Sequence, residues 1–504
     1  MQKTFYITTT LPYVNADPHV GFAMEIIRAD VIARAKKLQG YEVFFNTGTD
    51  EHGQKLFTAA EKEGKDVQIY VDEYAEKFRG LKDLLGISDD VHFIRTTDAH
   101  HVKSAQEFWK RCKANGYIYK KTYQTKYCVG CELEKTDSEL NEAGQCSIHP
   151  NNKIELIDEE NYFFKFSKFN GRGHKDSLLD FYDKPENKNF VIPEFRFHEI
   201  KTFVERGLED FSISRLKSKM SWGVPVPDDS EHVMYVWFDA LVNYISTLGW
   251  PDPLSYVGEG RGEVQHDENL FEKFWVHGTP TQYAGKDNLR QQSAMWQAML
   301  MAASLPNSHQ IVINGFITGE GGIKMSKSIG NVINPYDVVA EYGTDALRYF
   351  VLRELSSFED SPFTMERFKE CYNAGLANGI GNLTSRIMTM AETNLEQFPE
   401  IPPMTLTEDW VKAIEAVNEF NLKEAMDVVF SHVTELDEII QKKEPFKLVK
   451  INKAEAVEII NDLVIKLHNI AQMLTPVLPD TAQKIKEIIN SHKKPATPLF
   501  LRKE

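Results

Sequence analysis

A strand, a short loop, a helix and a second strand packed into the first 46 residues constrain this chain more than any other feature. Phe5-Tyr6-Ile7-Thr8-Thr9 is aromatic and β-branched, the composition of a strand. Leu11 to Pro18 holds two prolines, an asparagine and an aspartate, which makes it a loop. Met24, Ile27, Val31, Ala35 and Leu38 recur at spacings of three or four and predict an amphipathic helix. Gly40 suits the residue that ends it, and Glu42 to Asn46 reads as the second strand. Strands joined through a helix pair in parallel, so this opening predicts an α/β domain with nucleotide-type geometry.

The 504 residues suggest about three domains. With 42% hydrophobic and 26% charged residues, the chain can bury a core. No apolar run approaches the ~18 residues of a membrane span, and Met1 to Thr10 lacks the regions of a signal peptide. Five cysteines cannot staple a chain of this length, so a reducing cytoplasmic setting is the expectation. A net charge of −16 argues against a non-specific nucleic-acid binder but leaves room for a local basic surface. The lysine-rich end, Gln483 to Glu504, reads as a solvated helix end and tail.

The pattern changes along the chain. Tyr117 to Pro150 concentrates three of the five cysteines, and strand–helix alternation resumes at Trp222-Gly223-Val224-Pro225. Phe274 to His277 and Ile311 to Asn314 read as short buried parallel strands. After about Asp360 the chain reads as helical, with helices near 366–396, 408–422, 423–442 and 452–475. The resulting division is 1–115 and 222–318 as two halves of one α/β domain, 116–221 as an insertion, 319–365 as a lysine-loop region, and 366–504 as a helical bundle.

Three constellations carry chemistry. His19 falls at the first turn of the predicted helix, where free N–H groups and the helix dipole favour a phosphate. Gly21 beside it would let a nucleotide approach the backbone; the plainer reading of the pair is a capping histidine at a tight turn. Gly319-Glu320-Gly321-Gly322-Ile323-Lys324-Met325-Ser326-Lys327-Ser328 is a glycine-rich loop whose two ammonium groups, Lys324 and Lys327, can surround a polyphosphate. Cys128-x₂-Cys131, fourteen residues, then Cys146-x₂-His149 has the form of a zinc knuckle. Four ligands close a tetrahedral shell, so that zinc would be structural.

His19-Val20-Gly21-Phe22 and Lys324-Met325-Ser326-Lys327-Ser328 resemble the paired motifs of class I aminoacyl-tRNA synthetases. Over nearly the whole chain the narrower resemblance is to methionyl-tRNA synthetases of the single-knuckle type. It rests on Leu11-Pro12-Tyr13, Asp50-Glu51-His52-Gly53, Glu160 to Phe164, Trp222 to Pro225, Tyr235 to Ala240 and Gly285-Lys286-Asp287. The resemblance implies a Rossmann-type catalytic domain interrupted by the knuckle insertion and followed by an α-helical bundle. It implies a two-step reaction, in which the carboxylate of methionine attacks the α-phosphate of ATP, with Mg²⁺, and the tRNA then takes the methionyl group. His19, Lys327 and Lys324 become the catalytic residues. Gly21, Gly285, Asp287 and Ile317 join His19 and Lys327 around ATP. Leu11, Tyr13, Asp50, Trp237, Ala240 and Tyr244 become the methionine site, with Asp50 on the ammonium. Outside the resemblance Asp50 is a strand-end aspartate, and Trp237 and Tyr244 are core aromatics.

Asn382 and Arg386, one helical turn apart, and Phe446 after Pro445 match anticodon-reading positions; Phe446 also reads as bundle core. The knuckle insertion would help position the tRNA acceptor end, and with no appended domain after Glu504 a monomer is expected. Three positions depart from the pattern. Phe22 stands where the family often has a second histidine. Asn288 and Gln292 stand where it commonly has an apolar residue and a histidine, and an i, i+4 spacing would point both the same way. Another class I synthetase for an apolar amino acid, or a tRNA-binding paralogue without catalysis, are the competing readings.

Overall fold

A computed structural model describes residues 3–131, 133–135, 140–141, 143–146, 148–252, 269–323, 325, 332–402 and 408–504. The chain forms two compact units. One holds Met1–Asp17, Glu42–Gly80 and Asp89–Ile313, the other Pro18–Tyr41, Leu81–Ser88 and Asn314–Glu504. The strands in chain order are β1 (Thr4–Thr9), β2 (Glu42–Thr49), β3 (His92–Arg95), β4 (Ile118–Cys128), β5 (Leu133–Glu134), β6 (Ile154–Phe164), β7 (Val191–Ile192), β8 (Phe211–Ser212), β9 (Ser214–Leu216), β10 (His232–Met234), β11 (Pro280–Gly285) and β12 (Gln310–Asn314).

The first unit is built on a six-stranded sheet in the order β3-β2-β1-β11-β12-β7. It is parallel where β1 meets β2 and β11, where β2 meets β3, and where β12 meets β7. Strand order reverses at β1, so the carboxyl ends of β1, β2 and β11 border a topological switch point, the usual place for a ligand in such sheets. The predicted insertion carries a second, antiparallel sheet in the order β5-β4-β6-β8; β4 and β6 pair from Ile118↔Phe164 to Cys128↔Ile154. Aromatic rings fill the core. Phe108 stacks on Trp296 at 5.5 Å, and Trp109 meets Tyr162 and Phe238 edge-on at 5.3 and 5.2 Å. Such pairs add ~0.5–1.5 kcal/mol each beyond their burial.

Phe274 to His277 is not a strand. Phe271–Val276 winds as a wide helical turn, and the strand is the following segment, Pro280–Gly285. A short apolar run buries equally well in either form, so periodicity could not decide it.

The second unit begins with the helix Val20–Leu38, followed by Gly40 at φ +84°. The helix is more enclosed than an amphipathic pattern predicts, with Glu25, Arg28 and Asp30 among its buried residues. Buried charges must be paired. Arg28 donates to the carbonyls of Val351, Ser356 and Ser357 at 3.1, 2.8 and 3.3 Å. Asp30 accepts from Arg348 at 2.9 Å, Arg34 at 2.8 Å, and the Ser88 amide and hydroxyl at 2.9 and 2.7 Å.

The helical bundle includes Asn382–Asn394, Glu408–Asn418, Leu422–Lys443, Lys453–Leu474 and Pro479–Ser491. Asn421 and Asn452 cap two of these helices. Each accepts from the amide of the glutamate three residues on and donates to its carboxylate. The C-terminal tail stays largely exposed, Lys484, Lys493, Lys494 and Arg502 included, and is tied down at a few points. Tyr372 Oη donates to the carbonyl of Leu501 at 2.9 Å, Lys503 N–H donates to Asn373 Oδ1 at 2.9 Å, and Phe500 meets Tyr372 edge-on. Among the described residues no helix is long and apolar enough to cross a membrane.

Candidate active site

In the first unit, the loop after β1 and the end of β2 continue the sheet by an isolated bridge, Tyr13↔Asp50. Asp50 N–H donates to Pro12 O at 2.9 Å and Val14 N–H to Asp50 O at 3.3 Å. The backbone thus fixes Leu11, Tyr13 and Asp50 together at the carboxyl edge. Asp50 is buried, while Leu11 and Tyr13 are half-buried. The short helix Val236–Ala240 alternates in the same way: Val236, Phe238 and Asp239 are buried, Trp237 and Ala240 partly open. Tyr244 is buried and meets Trp296 edge-on at 5.8 Å. Gly285 ends β11 and is buried; Asp287 after it is exposed and accepts from Asn288.

Asn288 and Gln292 differ in burial. Asn288 ends the 3₁₀ turn Lys286–Asn288, and Gln292 lies in the wider π turn Gln291–Met295. Asn288 is half-buried, whereas Gln292 is 1% exposed. The Gln292 amide donates to Tyr244 Oη at 2.5 Å and accepts from Gln282 Nε2 at 2.9 Å.

In the second unit, His19 is the N-cap of the Val20–Leu38 helix, and its Nδ1 accepts the Gly21 N–H at 3.0 Å. Capping and phosphate binding are therefore compatible roles. With Nδ1 accepting, the neutral ring carries its proton on Nε2. Gly21 has a steric reason that the sequence did not show: a Cβ there would lie 2.8 Å from His19 Cε1 and 2.9 Å from Nδ1. Phe22 stacks on the imidazole at 4.3 Å, so the residue replacing a second histidine supports the first. Ile317 is buried in a two-residue strand paired with Ser361–Pro362. Lys324 and Lys327 lie outside the described residues. The turn leading to them closes with Gly319 N–H on Ile323 O at 2.7 Å.

Cys128, Cys131, Cys146 and His149 converge, their ligand atoms all within 4.8 Å of one another. Cys131 Sγ lies 3.3 Å from Cys146 Sγ and 3.1 Å from His149 Nδ1, and none of the cysteines forms a disulfide. A tetrahedral shell with metal–sulfur bonds of ~2.3 Å spaces its donors by somewhat under ~4 Å. These four residues fit a bound metal.

In the bundle, Asn382 is exposed and Arg386 on the same helix pairs with Asp437. Phe446 is 48% exposed beside the buried Pro445, so it is not core.

The sequence matches the family described as tRNA synthetases class I (M) over residues 5–148 and 134–388. The methionine–tRNA ligase of Thermotoga maritima is 38% identical over 505 residues, covering 98% of this chain and 76% of that protein. The methionine–tRNA ligase of Fusobacterium nucleatum is 36% identical, covering 96% of this chain and 74% of that protein. The chain belongs to the methionine–tRNA ligases. The structure of Mycobacterium tuberculosis methionyl-tRNA synthetase in complex with methionyl-adenylate superposes with a TM-score of 0.86 at 32% identity, covering 96% of this chain and 94% of that one.

Within this methionine–tRNA ligase fold, three sequence motifs turn out to be one buried assembly. His52 Nδ1 bonds Asp239 Oδ2 at 2.7 Å, with both side chains enclosed. Burial raises the Asp239 carboxyl above its usual value, and His52 pulls it back. Trp222 Nε1 donates to the Glu51 carbonyl at 2.6 Å, and Arg95 clamps the Glu51 carboxylate at 2.7 and 2.8 Å. Asp50 directly precedes Glu51, and Trp237 lies two residues before Asp239. The one sequence signal was an aspartate inside the apolar run Val236 to Val242.

Proposed function

We propose that this chain joins methionine to its tRNA in two steps, through methionyl-adenylate, with its own residues in the following roles. Asp50 binds the substrate ammonium; Leu11, Tyr13, Trp237, Ala240 and Tyr244 enclose the thioether, whose polarisability suits aromatic walls. The attacking carboxylate is already ionised, so no protein base is needed, and catalysis comes from positioning and from charge on the five-coordinate phosphorus. His19 donates Nε2–H to a phosphate oxygen at a helix N-terminus. Lys327, assisted by Lys324, follows the leaving pyrophosphate, with Mg²⁺ on the phosphates. Gly21, Gly285, Asp287 and Ile317 border the nucleotide. The observation that carries the reading is likeness over nearly the full length to a structure solved with methionyl-adenylate, supported by a histidine whose cap bond leaves Nε2 as the donor.

Methionine-dependent ATP–pyrophosphate exchange without tRNA, run across the twenty amino acids, tests it. Exchange with methionine alone is the expected result. Exchange with another amino acid would keep the class I chemistry and overturn the substrate. No exchange from folded protein would leave a tRNA-binding paralogue.

Cys128, Cys131, Cys146 and His149 hold one zinc ion, whose part is to fold the tip of residues 116–221 near the tRNA acceptor end. A closed four-ligand shell gives it no place in the chemical step. Stripping the protein with a chelator should release about one zinc per chain and lower aminoacylation by about tenfold or more, with pyrophosphate exchange reduced less. Equal loss of both activities would move the metal to the adenylation site. In the bundle, Asn382, Arg386 and Phe446 face the anticodon, with Phe446 exposed to stack on a base.

A further inference from the structure

The edge that carries Asp50 is fixed residue by residue. Backbone bonds hold Asp50 to Pro12 and Val14. Glu51 N–H donates to Thr96 Oγ1 at 2.9 Å, its carboxylate is clamped by Arg95, and its carbonyl accepts from Trp222. The Trp222 ring also stands 5.6 Å from the His52 imidazole. Trp237 and Ala240, by contrast, ride on the five-residue helix Val236–Ala240, too short to hold itself. Tyr235, just before it, donates its N–H to Ile213 O at 2.8 Å. Val236 and Phe238 are buried, Phe238 against Trp109. Apolar packing has no direction, so it resists separation better than it resists a roll about the helix axis. Trp237 and Ala240 are three residues apart and would swing together in such a roll. Among the described residues, the side chains of this helix make one hydrogen bond outside it, from Asp239 to His52 at 2.7 Å.

We infer that His52 and Asp239 are positioning residues for methionine activation. Their buried bond locks the roll of the Val236–Ala240 helix against the Asp50 edge. It thereby sets the spacing between the carboxylate that takes the ammonium and the wall that takes the thioether. The inference rests on the reading in which Asp50, Trp237 and Ala240 line the methionine site. His52 and Asp239 are enclosed, at 5% and 0% exposure, and act through these neighbours. The bond forms whichever partner holds the shared proton, since either can donate or accept according to its protonation. Such support matters because a binding constellation has to be held within about 0.5 Å of its productive geometry.

Pyrophosphate exchange tests this. His52→Leu breaks the bond and should raise KM for methionine about tenfold or more, with kcat and KM for ATP within about threefold of the parent. His52→Asn offers an amide donor and acceptor at the reach of Nδ1, so KM for methionine should return to within about threefold of the parent. Asp239→Asn should be as mild, for the same reason. His52→Leu combined with Asp239→Leu strands no polar group, so it should melt above His52→Leu alone while KM for methionine stays raised. Discrimination against ethionine, one methylene longer, should narrow in the leucine variants and hold in the asparagine ones. A double variant in which KM for methionine recovers along with stability would reduce the pair to core packing, as would a double variant that does not fold. Parental KM in a folded His52→Leu, or equal losses for methionine and ATP, would also overturn the inference. Asp50→Asn addresses the underlying reading. A parental KM for methionine there would take Asp50 out of the site, and both readings fall. A raised KM there, with His52→Leu neutral, would overturn the positioning role alone.

Discussion

Replacing His19 by alanine should lower the maximal rate of methionine-dependent pyrophosphate exchange by about 10²–10³-fold, with KM for methionine within about twofold of the parent. The size follows from what the residue would do. No proton has to leave the attacking carboxylate, so stabilising the charge on phosphorus is the main lever available to the protein. His19 sits at a helix N-cap with Nδ1 committed to Gly21 and Nε2 carrying the proton. Alanine removes both the cap and the donor, and the cap alone is worth ~0.5–2 kcal/mol of stability. His19→Asn separates the two. Asparagine is a good N-cap, so the melting temperature should stay near the parent's, while its shorter side chain falls short of the phosphate. Near-parental kcat in the asparagine variant would make His19 a cap and nothing more.

Arg348→Met should destabilise the second unit by about 3–5 kcal/mol, because it leaves a buried carboxylate short of its main cation. Both side chains are fully enclosed, and the guanidinium also donates to the carbonyls of Leu85 and Val477. Burial pushes the Asp30 carboxyl up; Arg348, Arg34 and the Ser88 bonds together hold it below its ordinary 3.8. A depressed folded value means the contribution is fully present above the unfolded value and lost as pH falls through the folded one. The parent should therefore lose denaturant stability below about pH 4, and Arg348→Met should show a shallower acid limb. Asp30→Leu combined with Arg348→Met should be less damaging than Arg348→Met alone, since no charge is then stranded. A double variant as unstable as the sum of its singles would show that the arginine acts through its carbonyl contacts instead.

What could be read from the sequence was what is local. The Thr4–Thr9 strand, the helix after it and Glu42–Thr49 announce themselves by period and by turn residues. The Cys₃His cluster is set by spacing within 22 residues, and it converges. Pro280–Gly285 did not announce itself, because Pro-Thr-Gln-Tyr-Ala-Gly has no strand pattern and is central only through its neighbours. Gln282, whose amide bonds Gln292, was hidden for the same reason. The His52–Asp239 bond spans 187 residues, and no local pattern encodes such a partner. The tail from Pro498 onward is largely exposed as its composition suggests, but its anchors, carbonyls and an asparagine, are not something composition reveals. The family motifs pointed to candidate site residues; the steric reason for glycine at 21 became visible only with the imidazole folded over it.

The bonding of the first helix bears on how the gene could be dissected. A fragment ending at Ile313 would look sensible, since it keeps the parallel sheet, the cysteine cluster and His19. It would also discard Arg348 and the carbonyls of Val351, Ser356 and Ser357, and so strand Asp30 and Arg28 on a helix meant to be enclosed. Such a truncated protein should be insoluble or silent, and adding residues 314–504 in trans should restore it better than any stabilising substitution within it. For the same reason, temperature-sensitive lesions in the segment 345–357, far along the chain from His19, should surface as defects in amino-acid activation.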